Sequence, residues 1–169
     1  MKTSLIIALT ADGKIAKTSS HGADWTSKED KQFFVSKTKE LGVVIMGSST
    51  YLTINRPLPD RLNIVLTKSP EEYDSIHGVL EFTNQTPGKI LKDLETRGHS
   101  QAAIIGGATI NSLFLEAGLI DELYLTIEPI LFGQGISLFS KDINESKLQL
   151  LDTKKLSDNV ILIHYQVIK

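Results

Sequence analysis

Residues 25–34 read WTSKEDKQFF, and the other segments are best understood from this stretch outward. It begins with Trp25, the only tryptophan in the chain. The spacing of Thr26 and Glu29 is that of a capping box, in which two side chains satisfy the free N–H groups at the start of a helix. We therefore predict a helix over residues 27–41, which ends at the glycine that follows.

Asp30 shares or adjoins one face of this helix with Phe33 and Phe34, which lie three and four residues further on. Burial beside aromatic rings disfavours the charged form of a carboxyl group and raises its pKa. Acidic residues are also common in the first turn of a helix, because they interact favourably with its dipole. The pattern alone leaves both interpretations of Asp30 open.

Composition limits the class of protein. The chain has 169 residues, which is typical of one domain, and its formal net charge is −2. This charge argues against a nucleic-acid surface, and no apolar run is long enough to span a membrane. The absence of cysteine excludes disulfides, thiolate metal sites and a cysteine nucleophile. The four histidines show no metal-ligand spacing, so we expect no metal; without a signal-peptide pattern, we expect a cytoplasmic location.

Apolar runs alternate with helical patterns along the chain and end in a tail that is all strand. This order predicts an α/β domain over residues 1–169, with a mostly parallel mixed sheet, helices on both faces and an antiparallel C-terminal edge. Residues 17–24 are polar and rich in Ser and Gly, and we predict a mobile loop there. The expected strands are 4–10, 14–16, 42–47, 62–67, 78–82, 102–105, 122–128, 148–153 and 159–167; the further helices are 48–54, 88–96 and 108–118.

Three predicted strands end in segments that suit phosphate: GSST at 47–50, TKS at 67–69 and GGAT at 106–109. Helix N-termini at such places offer free N–H groups and a positive dipole, and ligands of open α/β sheets gather at the carboxyl ends of strands. Each segment is also compatible with a plain turn, and the Gly pair is not a dinucleotide fingerprint. Together they suggest an elongated, phosphorylated ligand and a cofactor that carries the chemistry.

Several segments resemble dihydrofolate reductase in their order and spacing. The most specific are the Trp25-to-Asp30 spacing and the loop RPLPDR at 56–61. The similarity continues over the segments 8–16, 44–47, 63–66, 105–107 and 123–126. It implies a dihydrofolate-reductase-like fold and the NADPH-dependent reduction of 7,8-dihydrofolate to tetrahydrofolate, with hydride transfer to pteridine C6 and protonation at N5.

The C-terminal half is similar to a related family. GLIDEL at 118–123 and EPILFGQG at 128–135 resemble the pyrimidine reductases of riboflavin biosynthesis, which share the fold and reduce a ribosylaminopyrimidine phosphate with NADPH. The chain lacks their Asp-x-Pro-x-Leu stretch and has the folate-type loop instead. We therefore predict a dihydrofolate reductase. A pyrimidine reductase and a nucleotide-binding protein without turnover are the alternatives.

The resemblance also implies roles for residues. Asp30 would bind the pteridine edge and help to supply the proton, Trp25 would hold an ordered water, and Arg61 would pair with the glutamate carboxylate. The implied substrate-binding residues are Ala8, Phe34, Ile54, Leu58, Arg61 and Thr126. The implied NADPH-binding residues are Ala8, Ile15, Gly47, Ser48, Ser49, Thr50, Thr67, Lys68, Ile105, Gly106, Gly107, Ala108, Thr109 and Ile110.

Some positions depart from the dihydrofolate reductase pattern. Ser48 stands where the family usually has an arginine for the extra phosphate of NADPH, and Lys68 is either its replacement or a solvated lysine. Asn111 replaces a tyrosine near the nicotinamide ribose, and the loop before Trp25 lacks the usual proline. We expect a small-molecule substrate, no nucleic-acid or membrane partner, and a monomer or homodimer.

Overall fold

The structure is a computed structural model that describes residues 1–140 and 143–169. Its strands are β1 (Lys2–Thr10), β2 (Lys14–Ala16), β3 (Val43–Gly47), β4 (Leu62–Leu66), β5 (Leu80–Thr83), β6 (Gln101–Ile104), β7 (Glu122–Glu128), β8 (Ile136–Ser137), β9 (Lys147–Lys155) and β10 (Ile161–Ile168). Its α-helices are α1 (Lys28–Leu41), α2 (Ser48–Ile54), α3 (Pro87–Thr96) and α4 (Ala108–Glu116). A short 3₁₀ turn covers Pro70–Glu72.

Eight strands form one sheet in the order β5-β4-β3-β6-β1-β7-β10-β9. The six strands from β5 to β7 are parallel, whereas β10 runs antiparallel to both β7 and β9. β1 lies between β6 and β7 in the sheet, and helices cover both faces there, so its apolar run does not alternate. The predicted α/β fold, with its mostly parallel sheet and antiparallel C-terminal edge, is confirmed.

Each face of the sheet carries its own apolar core. Leu5 packs with residues of α3 and α4, such as Leu94 and Phe114. The next residue of the same strand, Ile6, points to the opposite face, where Phe34 of α1 and other apolar side chains cover it. Because the helices on both faces are fixed by these cores, the loops at the carboxyl ends of the parallel strands are held next to one another.

The predicted strand and helix bounds agree with the observed ones to within two residues. The ends of α1 differ in how well they were predicted. Gly42 closes the helix in the left-handed conformation (φ 74°), as expected. The predicted capping box of Thr26 and Glu29 is wrong, because Ser27 is the N-cap and accepts the backbone N–H of Asp30.

Two smaller elements were not predicted. β8 pairs with β2 in a second, two-stranded sheet beside the main one, and the 3₁₀ turn follows β4. The short helix α2 is capped by Gly47 without a side-chain hydrogen bond. In the part of the chain that is described, no helix is both long and apolar enough to cross a membrane.

Candidate active site

A cleft of about 770 Å³ opens at the carboxyl edge of the parallel strands. β1, β3, β4 and β6 end on it, α1 and α2 form its walls, and the loop between β2 and α1 covers one end. This is the edge at which open α/β sheets bind ligands. Within residues 1–140 and 143–169, no three His, Asp or Glu side chains gather closely enough to hold a metal ion.

Most of the predicted site residues are brought together here. Those that line the cleft are Ala8, Ile15, Trp25, Asp30, Phe34, Gly47, Ser48, Ser49, Thr50, Ile54, Leu58, Thr67, Lys68, Ile105, Gly107, Ala108, Thr109 and Ile110. Three predicted residues, Arg61, Gly106 and Thr126, are not part of the lining. The lining includes residues as far apart in the chain as Ile6 and Ser140, because parallel strands place their ends side by side.

Asp30 lies in the first turn of α1 and is only 8% exposed. Burial raises the pKa of its carboxyl group above the ordinary value, and hydrogen bonds from the hydroxyls of Thr126 and Thr26 lower it in part. The charge of Glu128 adds to the rise, and that of Lys31 opposes it. Asp30 is therefore a buried carboxyl group that faces a cleft and holds its proton to higher pH than an exposed aspartate does.

Thr126 reaches the site only through Asp30. It is 1% exposed on β7, beneath the first turn of α1, and its hydroxyl bonds to the Asp30 carboxyl. Its predicted direct contact with substrate is therefore corrected to a contact with the acid.

Glu128 is the residue that the sequence interpretation missed. It is 3% exposed at the end of β7, and its Oε1 accepts both the backbone N–H (2.9 Å) and the hydroxyl (2.7 Å) of Ser27. The strand pattern contained a signal for it. Successive residues of a strand alternate between faces, so Glu128 lies on the same face as Thr126, which had been assigned to the site.

An aromatic group fixes the loop before α1. The rings of Trp25 and Phe132 meet edge to face with 5.0 Å between centroids, and His21 packs against the same phenyl ring at 5.6 Å. Lys17 places its Nζ atom over that ring at 5.1 Å. The loop predicted to be mobile is thus packed against the segment that follows β7.

The other end of the cleft has the features of a phosphate site. α4 begins after Gly107 without a side-chain cap, so its first N–H groups face the lining with the positive end of the helix dipole. A Cβ atom at Gly47 would come within 3.0 Å of Ile110, and one at Gly107 within 3.4 Å of Thr50. Gly47 therefore packs tightly against the side chain of Ile110, whereas the contact at Gly107 is an ordinary van der Waals distance.

Gly106 belongs to the same junction, although it does not line the cleft. It is buried, has a φ of 98° and joins Gly107 through a cis peptide bond. Ile7 and Asn111 lie within 4 Å of the place that a Cβ atom would take. The predicted direct contact of Gly106 with a cofactor is therefore replaced by a role in shaping the β6–α4 turn.

Arg61 lies outside the cleft lining. The side chain is 6% exposed, its Nε donates to the carbonyl of Pro59 (2.9 Å), and its Nη1 donates to the hydroxyl of Thr38 on α1. The predicted loop is present, and these two bonds hold the guanidinium against the helix; its pairing with a substrate carboxylate stays a prediction. Asn111 is also turned inward: it is fully buried, and its Nδ2 donates to the carbonyl of Leu138 at 2.8 Å.

Polar side chains that the sequence interpretation did not single out complete the lining. Lys31 and His21 lie near the α1 end of the cleft, and the Nδ1 atom of His21 accepts the N–H of Lys17 at 3.0 Å. The ring hydrogen of a neutral His21 is therefore on Nε2. Further polar side chains are Thr18, Ser19, Asn84, Gln85 and Ser140. Their sequence neighbours are irregular loops, which offer no period from which to predict the direction of a side chain.

Comparison with known proteins gives a family match over most of the chain. The family model of the RibD C-terminal domain matches residues 3–162. The uncharacterized protein YwjB of Bacillus subtilis is 34% identical over 172 residues, which cover 97% of each chain. The dihydrofolate reductase of the same bacterium is 34% identical over 126 residues, or 73% of this chain and 67% of that protein.

Two solved structures show the same fold. RibD of Acinetobacter baumannii superposes with a TM-score of 0.84 at 22% identity, over 99% of this chain and 58% of that one. Dihydrofolate reductase of Enterococcus faecalis, solved in complex with NADP(H) and RAB-propyl, superposes with a TM-score of 0.68 at 21% identity, over 99% and 97% of the two chains. The predicted likeness to dihydrofolate reductase thus holds for the fold. The family match falls on the pyrimidine reductases, which the C-terminal half of the sequence resembles.

Proposed function

The chain belongs to the RibD C-terminal domain family, and on that premise we propose that it is an NADPH-dependent reductase of a small nitrogen heterocycle. The main support is that one cleft joins a phosphate-friendly end, at the start of α4, with a buried acid, Asp30, at the start of α1. The phosphate-friendly end would bind the cofactor that donates the hydride. The acid would donate the proton that the hydride acceptor takes up. Neither hydrolysis nor metal chemistry has a comparable set of residues in the described cleft.

The residues fit NADPH at the α4 end. The uncapped N–H groups of that helix and the hydroxyls of Thr50 and Thr67 are suitable donors to phosphate oxygens. Lys68 is the cation in this part of the lining and would take the extra phosphate that distinguishes NADPH from NADH. Bound there, NADPH would supply a hydride to the carbon of a C=N bond, which dihydrofolate has in its pteridine ring and a ribosylaminopyrimidine has once its sugar ring opens to the imine.

Asp30 would supply the proton. Burial raises the pKa of its carboxyl group, so a larger fraction carries a proton near neutral pH than at an exposed aspartate. As the carbon of the C=N bond gains the hydride, its nitrogen gains electron density and takes up this proton. Thr126 places its hydroxyl beside the carboxyl and would bind the carboxylate that remains, whereas the hydroxyl of Thr26 donates to the carbonyl of Ala23 at 3.2 Å.

For the substrate we infer a ribosylaminopyrimidine phosphate rather than dihydrofolate. The observation that carries this choice is where the basic groups lie: Lys31 and His21 line the cleft, and Arg61 does not. Dihydrofolate needs a cation for its glutamate carboxylate, and the guanidinium that was assigned to it is bonded to Thr38 and Pro59. A sugar phosphate that lies toward Lys31 would meet an ammonium group and an imidazole N–H. The family match supports the same choice.

Dihydrofolate remains the second candidate, on a separate observation. Phe34, Ile54 and Leu58 line the cleft as an apolar wall next to Asp30, which suits the aryl part of folate. Loss of NADPH absorbance with each substrate in turn tests the proposal. Turnover of the pyrimidine phosphate supports it, and turnover of dihydrofolate alone would replace it with the second candidate.

A further inference from the structure

Glu128 and Asp30 are connected by one shared partner, the N-cap residue of α1. The hydroxyl of Ser27 donates to Glu128 Oε1 at 2.7 Å and accepts the backbone N–H of Asp30 at 3.1 Å. The backbone N–H of Ser27 donates to the same Oε1 at 2.9 Å. Because a carboxylate can only accept, Glu128 fixes the hydroxyl hydrogen and leaves a lone pair of Ser27 for Asp30. The first turn of α1 is therefore attached to the end of β7, about 100 residues away in sequence.

We propose that Glu128 is a positioning residue for the reaction: through Ser27 it holds the first turn of α1 so that the Asp30 carboxyl faces the cleft, and its charge favours the protonated form of that carboxyl. The inference rests on the reductase function proposed above. Glu128 does not line the cleft, so its effect on the reaction passes through Asp30.

The energetics favour such a role over chance packing. A carboxyl group that is 3% exposed has lost most of its hydration, and burial of a charge is costly unless hydrogen bonds compensate it. Glu128 has no lysine or arginine ion pair in the described structure, and its two bonds go to a neutral serine. A glutamine at this position would keep both acceptor bonds without the cost of a buried charge, so an effect of the charge itself would be felt at the acid beside it.

The other charged groups at this end of α1 are arranged differently. Lys31, on the helix itself, opposes the effect of Glu128 on Asp30. On the covering loop, His21 and Asp24 face one another, with 3.8 Å between Nε2 and Oδ1. In the β1–β2 turn, Asp12 accepts the hydroxyl of Thr10 and the N–H groups of Phe132 and Gly133, which lower the pKa of its carboxyl. Glu128 is thus the carboxylate with a direct hydrogen-bonded connection to the first turn.

Glu128→Gln is the discriminating variant, because the amide oxygen can still accept both Ser27 bonds while the charge is lost. The pH profile of kcat is measured with NADPH and whichever of the two substrates turns over. We expect kcat at pH 5.5 to stay within about twofold of the unmodified protein, and kcat at pH 8 to fall about 3- to 10-fold, because the like charge no longer favours protonation of Asp30. Glu122→Gln on the same strand is the control, with an unchanged profile. An unchanged profile for Glu128→Gln would overturn the proposal.

A second measurement does not need turnover. Urea midpoints of the unmodified protein, Asp30→Asn, Glu128→Gln and the double variant form a cycle at pH 8 and at pH 4. We expect the two shifts to be non-additive at pH 8 and closer to additive at pH 4, where a larger fraction of Asp30 carries a proton. If the shifts are non-additive but neither substrate turns over, the proposed function is wrong and the link between the two acids stands. If a substrate turns over but the shifts are additive, the link is wrong and the proposed function stands.

Ser27→Ala keeps the charge of Glu128 and removes the hydroxyl between the two residues. It also covers the case in which Glu128→Gln does not fold. We expect a lower kcat with little change in KM and no shift of the pH profile, since the charge remains. A kcat equal to that of the unmodified protein would show that the placement part of the proposal is wrong.

Discussion

The rings of Trp25 and Phe132 meet edge to face, with 5.0 Å between their centroids. Trp25 belongs to the part of the sequence that resembles dihydrofolate reductase, and Phe132 to the part that resembles the pyrimidine reductases. The two resemblances are therefore not rival readings of separate regions, because the residues that carry them form one wall beside the cleft. Folding brings them together since β1 and β7, whose ends bear these loops, are neighbours in the sheet.

Asp30→Asn removes the acid and keeps its shape. We expect the rate of hydride transfer at neutral pH to fall by about 10²-fold or more, the usual contribution of a general acid, with NADPH affinity nearly unchanged. Stopped-flow loss of NADPH absorbance measures the first quantity, and a fluorescence titration measures the second. Asp24→Asn, at an exposed carboxyl six positions earlier, serves as the control. An unchanged rate would return Asp30 to a helix-dipole role.

The raised pKa of Asp30 also predicts how stability depends on pH. The folded protein holds this proton to higher pH than the unfolded chain, whose aspartates titrate near about 3.9. The stability contribution of protonated Asp30 is therefore complete below that value and is lost as pH rises through the folded pKa. We expect Asp30→Asn to gain stability relative to the unmodified protein across this window. Urea unfolding of both proteins from pH 4 to pH 8 tests this expectation. A difference in their free energies of unfolding that stays constant with pH would contradict it.

Lys68→Gln tests the recognition of the cofactor's extra phosphate. An exposed lysine on a phosphate contributes modestly, so we expect the Kd for NADPH to rise about 2- to 5-fold and the Kd for NADH to stay the same. The comparison requires titrations of both nucleotides at one ionic strength. Lys92→Gln, on the outer side of α3, should change neither value. Equal losses for the two nucleotides would mean that Lys68 does not touch the phosphate.

Arg61→Leu separates a structural arginine from a substrate-binding one. The guanidinium bonds to Thr38 and to the carbonyl of Pro59, and its removal breaks both bonds and the packing of a side chain that is only 6% exposed. We expect a loss of about 1–3 kcal/mol in the free energy of unfolding. Arg56→Leu, at an exposed arginine of the same loop, should stay within about 0.5 kcal/mol. Unchanged stability with a selective loss of dihydrofolate affinity would restore the role that the resemblance implied.

The sequence was sufficient to predict the α-helices and the longer strands. It was insufficient to predict the directions of side chains. The bounds of α1 follow from its local signals, because a hydroxyl residue at its start and Gly42 at its end act within a few residues. The choice of Ser27 over Thr26 as the cap depends on Glu128, which lies about 100 positions away and binds the Ser27 hydroxyl. No local rule contains that information.

The same limit applies to Arg61, which does not line the cleft. The loop RPLPDR fixes where the chain turns, since its prolines restrict the backbone. Whether the guanidinium enters the cleft or packs against Thr38 is decided by the position of α1 above the sheet. The cleft itself was predictable, because the carboxyl ends of parallel strands must share one edge. The identity of the ligand depends on the long side chains at the rim of the cleft. The directions of those side chains were not predictable from the sequence.

The most direct test of the account is a comparison of kcat/KM for the two substrates on the unmodified protein. Purified protein is mixed with NADPH and either the ribosylaminopyrimidine phosphate or dihydrofolate, and the loss of NADPH absorbance is followed at several substrate concentrations. Because Lys31 and His21 line the cleft and Arg61 does not, we predict a kcat/KM at least about tenfold higher for the pyrimidine phosphate. A higher value for dihydrofolate, or turnover of dihydrofolate alone, would contradict it.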